Sequence, residues 1–372
     1  MTNENTRKQI YNLLAAGIGL LPKANPSLFE NKEQVNWELL LQLSKMQTIP
    51  ALVWDGLLTL PKELHPERDV LLKWYALVLQ TEKTNQQLNI ALSEINRLIT
   101  EELRLPYALL KGQGTAARYP NPLHRTCGDI DIFLGVEGGK AFDEAAEKMG
   151  LQIEQENGKH VAYNYKGVSI ENHSKVTTYF WSRNTKRLER LVKLWEGKTL
   201  PTRAIQYPGS GAEVEEMRIP IAPSWFEAFF SVAHFEQHLL YSGIGLRHLC
   251  DWYILFQNIH EDEKTLYEEG LSQLRLNKIA RAMEELFASV LGRENSLSVT
   301  ARLIEQEIWR GGNFGFHDNS MGNTPYVAKK TWLTALTRTI YYLRRSFRFF
   351  FLSPVETSLS PLMRAVHKIM RS

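Results

Sequence analysis

The alternation of apolar and polar positions divides the chain into a helical stretch, a short α/β stretch and a second helical stretch. Within residues 1–104, "VNWELLLQLSKMQTIPALVWDGLL" and "VLLKWYALVLQTEKTNQQLNIALSEINRLITEEL" place apolar residues three and four apart, the period of an amphipathic helix. Gly and Pro are scarce inside the second segment, which predicts one long helix ending near Leu105-Pro106. The texture then changes. "PYALLKG" and "DIDIFLG" are short apolar runs closed by glycine, and "LQIEQE", "HVAYNY" and "VSIENHS" have β-favouring character. Lys166-Gly167 lies between the last two and predicts a hairpin turn. "GGKAFDEAAEKMG" predicts a helix between the second and third strands, and "NTKRLERLVKLWEG" a polar helix after the fifth. From "IAPSWFEAFFSVAHFEQHLL" to about residue 310 the pattern is helical again. A glycine-rich aromatic loop, "GGNFGFHDN", and a basic, aromatic tail follow.

These elements predict an α+β fold: a small mixed β-sheet core flanked by N-terminal and C-terminal helical regions. The boundaries read from the pattern are a helical region at 1–104, an α/β core at 105–205, a helical domain at 206–328 and a basic helical tail at 329–372. A length of 372 residues agrees with two or three units. Composition is ordinary for a soluble globular chain, with 44% hydrophobic and 23% charged residues. The net charge of +3 argues against a general nucleic-acid coat. Positive charge is concentrated in the tail, where nine Lys/Arg face one acid, Glu356. Such a segment suits an anionic surface, or an amphipathic helix whose arginine stems lie over the core. The two cysteines, Cys127 and Cys250, read as reduced thiols. "IYNLLAAGIGLL" has the length of a signal-peptide core but no clear cleavage site after it, and no apolar run reaches eighteen residues. The expected location is cytoplasmic.

The chemistry concentrates in "TCGDIDIFLG". Strands are depleted in Asp, yet Asp129 and Asp131 stand two apart at the head of one. Alternation puts both carboxylates on one face and Ile130 on the other. Two adjacent anions repel, and a divalent cation relieves the repulsion; Mg²⁺ favours such hard oxygen ligands together with substrate phosphates. Upstream, Lys111-Gly112-Gln113-Gly114 follows a strand and precedes a helical turn, a place where backbone can approach a phosphate closely. In "GVSIENHS", Ser169, Glu171 and His173 share a face, and Glu171 interrupts an otherwise good strand. Beside the aspartates it would be a third metal-binding carboxylate.

Taken together, Gly112-Gln113, then Asp129-Ile130-Asp131, then Glu171 on a later strand resemble the DNA polymerase β-like nucleotidyltransferase superfamily. More narrowly, "LLKGQGTAARYPNPLHRTCGDIDIFL" and "SVAHFEQHLLYSGIGLRHLCDWYIL" resemble a family of uncharacterised bacterial nucleotidyltransferases, over roughly residues 35–300. The resemblance implies transfer of a nucleoside monophosphate from an NTP to an acceptor, with release of pyrophosphate. It implies two Mg²⁺ ions, with Mn²⁺ as a substitute: Asp129 and Asp131 hold the ion on the β- and γ-phosphates, and Asp131 and Glu171 help hold the second. Glu171 without a metal is an alternative general base. ATP is the first donor to test, and a small-molecule acceptor fits the near-neutral charge better than protein or RNA. Gln113 stands where the superfamily has a second glycine or serine, and the spacer to Asp129 is slightly long. These departures motivate the alternative of a non-catalytic nucleotide-binding or regulatory protein on the same scaffold.

Other residues have two readings at this stage. Arg125 is placed to reach the triphosphate or to pair with Asp129. Cys127 reads as packing, because His124 alone makes no thiolate site. His234 and His238 are one helical turn apart, a spacing that can bind zinc, but no third ligand is evident in the sequence. Arg247 and Asp251 are an i, i+4 pair that is either a helix salt bridge or a wall of the substrate cleft.

Overall fold

A computed structural model describes residues 3–148, 151–156, 160–209, 213–293, 296–313 and 332–359. The chain opens with α1 (Glu4–Gly17), α2 (Trp37–Met46) and α3 (Pro50–Leu57), followed by the long α4 (Arg68–Arg97). The sequence pattern ran through α2 and α3 as one segment. The break comes at Thr48, whose φ is 55°, and at Pro50, which starts α3 because proline is tolerated at the first helical position. Helix α1 crosses α3 at two glycines. A Cβ on Gly17 would lie 1.8 Å from Leu52 O, and one on Gly56 1.8 Å from Leu13 O, so only glycine permits this approach.

Helix α4 reaches across both hydrophobic cores. Trp74 and Val78 near its start belong to the core formed with α1–α3, and the Trp74 indole N–H donates to Pro50 O at 2.8 Å. Leu88, Leu92 and Ile95 near its end pack under the sheet. The predicted long helix is therefore present. It runs on through a π-helical turn at Leu98–Glu102 before the chain turns into the first strand.

The sheet contains β1 (Ala108–Leu110), β2 (Asp129–Phe133), β3 (Gln152–Glu156), β4 (His160–Tyr165) and β5 (Val168–His173), in the order β1-β2-β5-β4-β3. Strands β2 and β5 are parallel and the other neighbours antiparallel, which makes the sheet mixed. A five-residue helical turn, α5 (Gly112–Ala116), separates β1 from β2, and α6 (Gly135–Lys148) separates β2 from β3. Lys166 and Gly167 both have positive φ, 53° and 82°, as a two-residue hairpin turn between twisted strands requires. Ile130, Ile132 and Ile170 fill the buried face.

A polar helix, α7 (Ser182–Val192), leads to a hairpin, β6 (Thr202–Pro208) and β7 (Val214–Pro220), absent from the sequence reading. The boundary expected at residue 205 falls inside β6. The hairpin joins the β1 edge through a bridge between Leu109 and Ile221 and is tied to α4 by the Asn89 amide donating to Gln206 O. Helices α8 (Ser224–Tyr241), α9 (Leu246–Phe256), α10 (Lys264–Leu274), α11 (Asn277–Val290) and α12 (Val299–Gly311) complete the helical part. Phe226, Phe229 and Phe235 are fully buried on α8, as expected of a helix at the centre of a bundle. Helices α1–α3 share this core rather than forming one of their own.

The tail forms α13 (Trp332–Phe349), which lies against α8 and reaches α12 through Arg345 and Glu307. Arg345 is 5% exposed, donates to Leu239 O and Glu307, and stacks on Phe349. One arginine of the tail is thus an internal tether. Most of "GGNFGFHDN" lies outside the described residues. Among the described residues, no helix is long and apolar enough to cross a membrane.

Candidate active site

The parallel pairing of β2 with β5 sets Asp131 directly beside Glu171, and Asp129 beside Ser169. The period-2 alternation of both strands therefore gathers three carboxylates on one face. Asp129, Asp131 and Glu171 each offer an oxygen, and these atoms lie within 4.8 Å of one another. Three hard oxygen donors at that separation fit a divalent cation of the Mg²⁺ type. The fold thus brings together the three acids that the sequence pattern predicted to meet.

Basic groups surround the carboxylates. Lys111 Nζ is 3.2 Å from Asp131 Oδ1. His173 Nε2 is 2.9 Å from the same oxygen and 3.1 Å from Glu171 Oε2, and His160 Nδ1 is 3.5 Å from Glu171 Oε2. His160 sits opposite His173 across the β4–β5 pairing, which places both rings on the carboxylate face. His160 was not among the sequence candidates. Strand alternation back from the hairpin turn is the signal that could have found it.

The electrostatics follow from this crowding. Asp131, aided by burial, pushes the Asp129 carboxyl up to about 6. Burial also opposes charge on Asp131, but Lys111 and His173 override it and hold that carboxyl well below the usual range. Burial works against the cation at Lys111 as well, yet Asp131, Asp129 and Glu171 raise its pKa above the ordinary value. The cluster holds closely spaced negative charge, most compressed at Asp129, and this is the condition a metal ion relieves.

Lys111, with φ 53° and ψ −144°, occupies a backbone conformation rare for a side-chain-bearing residue. Such strain is found where surrounding structure fixes a functional position. It turns the chain from β1 into α5. Lys111, Gly112 and Thr115 line a cavity of about 270 Å³ together with Asp129, Asp131 and Glu171. Gly114 instead faces the β6–β7 side, against Leu109 and Ile221, and its carbonyl accepts from Arg203. Gln113 is 2% exposed, and its amide has no hydrogen-bond partner among the described residues.

Arg125 and Asp251 also line the cavity, where they hold each other. Arg125 Nε and Nη2 donate to the two oxygens of Asp251 at 2.7 and 2.8 Å, and the Tyr119 hydroxyl donates to Asp251 at 2.7 Å. Arg247, the i, i+4 neighbour of Asp251, donates to Thr126 O at 2.7 Å. These bonds join the segment before β2 to α9, and so fasten the helical part to the sheet around the cavity. Burial pushes the Cys127 thiol pKa up, which suits a packing residue. His124 is held between Asp55 and Glu82 at 2.7 and 2.9 Å, away from any thiolate role.

His234, His238 and His248, from the helices, also line the cavity. His248, at the start of α9, is the neighbour of the α8 pair that the sequence left without a third member. No reading of one helix could supply it, because it arrives through the packing of α8 on α9.

No similarity to a curated protein was found. Among solved structures, the solution structure of the antibiotic-resistance factor ANT(2'')-Ia aligns with 53% of this chain and 94% of its own. The identity is 12% and the TM-score 0.32, too slight to bear on the site. The sequence profile of a family described as "Uncharacterised nucleotidyltransferase" matches residues 33–292, a span that contains the β1–α5 loop, all three carboxylates and the helices facing them. On that match, the chain belongs to the uncharacterised nucleotidyltransferase family.

Proposed function

We propose that the protein is a Mg²⁺-dependent nucleotidyltransferase that takes an NTP, ATP in the first instance, and transfers its nucleoside monophosphate to a small-molecule acceptor. The observation that carries this reading is the convergence of Asp129, Asp131 and Glu171 on the wall of a cavity also lined by Lys111 and Gly112. Asp129, Asp131 and Glu171 are the ligands for the metal, with Mn²⁺ as a substitute for Mg²⁺. When bound, such ions neutralise phosphate oxygens and acidify a hydroxyl.

The remaining roles belong to the chain. Lys111 is held at Asp131 by charge. A cation at the carboxylates would compete with that contact and leave the ammonium available to phosphate oxygens. The backbone of Gly112, which has no side chain, lets a phosphate approach the turn. His173 and His160 orient Glu171, whose oxygen they approach from β5 and β4. The Arg125–Asp251 pair fixes the spacing between the donor face and the helical wall, where the acceptor binds.

One observation favours a second reading. Gln113 stands in the loop where the superfamily has a small residue and buries an amide with no partner among the described residues, a departure in the loop that motivates a nucleotide-binding or regulatory protein without turnover. Calorimetric titration separates the outcomes. NTP binding that requires Mg²⁺ and is lost in Asp129→Asn/Asp131→Asn supports the donor site, after which acceptors are screened with labelled nucleotide. A folded protein that binds no NTP with Mg²⁺ or Mn²⁺ overturns the catalytic reading and favours a regulatory role for the same scaffold. Tight binding without turnover of any acceptor or water favours the second.

A further inference from the structure

We propose that His234, His238 and His248 form a second metal site, chemically distinct from the carboxylates, that takes a late first-row divalent ion such as Zn²⁺ and keeps an open coordination position toward the cavity. Each of the three imidazoles offers a ring nitrogen, and the three nitrogens lie within 4.8 Å of one another. His234 Nε2 and His238 Nε2 are 3.0 Å apart. Two nitrogens on one tetrahedral zinc, at bonds of ~2.0–2.1 Å, are separated by roughly 3.3 Å, so the pair needs only a small outward shift. The rings come from two helices that pack on each other. His234 and His238 stand one turn apart on α8, and His248 lies in the first turn of α9. The His248 ring centroid is 4.9 Å from that of His238 and 5.9 Å from that of His234.

The surrounding contacts fit ligation with a defined adjustment. His238 Nδ1 is 2.8 Å from the Ser242 hydroxyl, which fixes the ring and turns Nε2 toward His234. A hydrogen bond at the far nitrogen is how proteins orient a ligating histidine. The Gly245 N–H donates to His248 Nδ1 across 3.3 Å. Ligation through Nε2 moves the ring proton to Nδ1 and gives up that long bond. Losing it weakens binding by roughly three- to tenfold, and three ligands hold the ion less tightly than the four of a closed structural zinc site. Three protein ligands leave the fourth position to water or substrate, as in catalytic zinc sites. All three histidines line the same cavity as Asp129, Asp131 and Glu171. An oxygen, nitrogen or sulfur donor of a molecule bound in that cavity would meet the open position. Imidazole nitrogen favours zinc, cobalt, nickel or copper, whereas carboxylate oxygen favours magnesium, so the two sites select different ions.

The proposal is independent of nucleotidyl transfer and is tested with metal alone. Chelator-treated protein is titrated with Co²⁺ in excess Mg²⁺, with visible absorption as the readout. The expected result is one Co²⁺ per chain with the intense bands of a low-coordinate nitrogen site, displaced by one equivalent of Zn²⁺. The signal should disappear in His238→Ala and in the half-buried His234→Asn, each checked for native melting, and persist in Asp129→Asn/Glu171→Gln. A weak octahedral spectrum, no binding, or a signal lost with Glu171 and kept with His238→Ala overturns it. The last outcome would assign the ion to His160, Glu171 and His173, the mixed cluster on β4 and β5.

Discussion

Asp251→Asn tests how the two parts of the molecule are held together. Asp251 takes both charged donors of Arg125 and the Tyr119 hydroxyl, all within 2.8 Å, and Arg125 is 4% exposed. The substitution preserves volume but leaves a buried guanidinium without its anion, with Arg247 nearby to add repulsion. Breaking one side of a buried, doubly hydrogen-bonded ion pair costs about 3–5 kcal/mol. Replacing both partners with apolar groups, Arg125→Met/Asp251→Leu, removes the Arg125 charge but leaves the buried Arg247 and the Tyr119 hydroxyl without Asp251, so it should recover part of that loss. The assay is urea unfolding followed by circular dichroism, with midpoint and slope compared across wild type, both single variants and the double variant. The reasoning fails if Asp251→Asn costs less than about 1 kcal/mol, or if the double variant is no more stable than the single. Either result would mean that the pair is solvated and that other contacts fasten α9 to the sheet.

Other consequences follow from charge and close packing. Asp129→Asn removes the most compressed charge of the carboxylate cluster and should raise stability in metal-free buffer by about 1–2 kcal/mol; thermal melts with and without Mg²⁺ should show that wild type gains from the ion and the variant gains less. Burial raises the Glu236 carboxyl to about 8 from an ordinary 4.5, so the folded state holds a proton that the unfolded chain has released. That stability is fully present below about pH 4.5 and declines as pH rises to about 8, by up to about 1.4 kcal/mol per pH unit. Glu236→Gln should flatten that slope in unfolding measurements across the window. Gly56→Ala puts a methyl group 1.8 Å from Leu13 O and should destabilise by at least about 1–3 kcal/mol, read from the unfolding midpoint, whereas a small effect would show that α1 and α3 can separate freely.

Much of the carboxylate face was legible in the sequence because strand alternation is local. Asp129 and Asp131 share a face for the same reason that Ile130 is buried, and Glu171 joins them through the register of β2 on β5. The Lys166-Gly167 turn fixes the register of β4 on β5 instead, since only a few residues tolerate two positive φ angles in succession. What escaped depends on contacts far apart in the chain. Arg125 finds Asp251 126 residues away, and His248 meets His234 and His238 only when α9 packs on α8. The β6–β7 hairpin escaped for a different reason. Its strands are largely exposed, so "TRAIQYP" and "VEEMRIP" lack the apolar alternation that marks a half-buried strand. The shared core of α1–α3 with α8–α12 likewise follows from packing that no periodicity reports.

The central claim is that Asp129, Asp131 and Glu171 hold a divalent ion against a nucleotide. Anomalous diffraction at the manganese edge, from crystals grown with Mn²⁺ and a non-hydrolysable NTP, tests it directly. The account predicts a manganese peak within bonding distance of Asp129 and Asp131, with the triphosphate beside Gly112 and Lys111. A nucleotide bound elsewhere, or well-ordered carboxylates without manganese at saturating concentration, would contradict it.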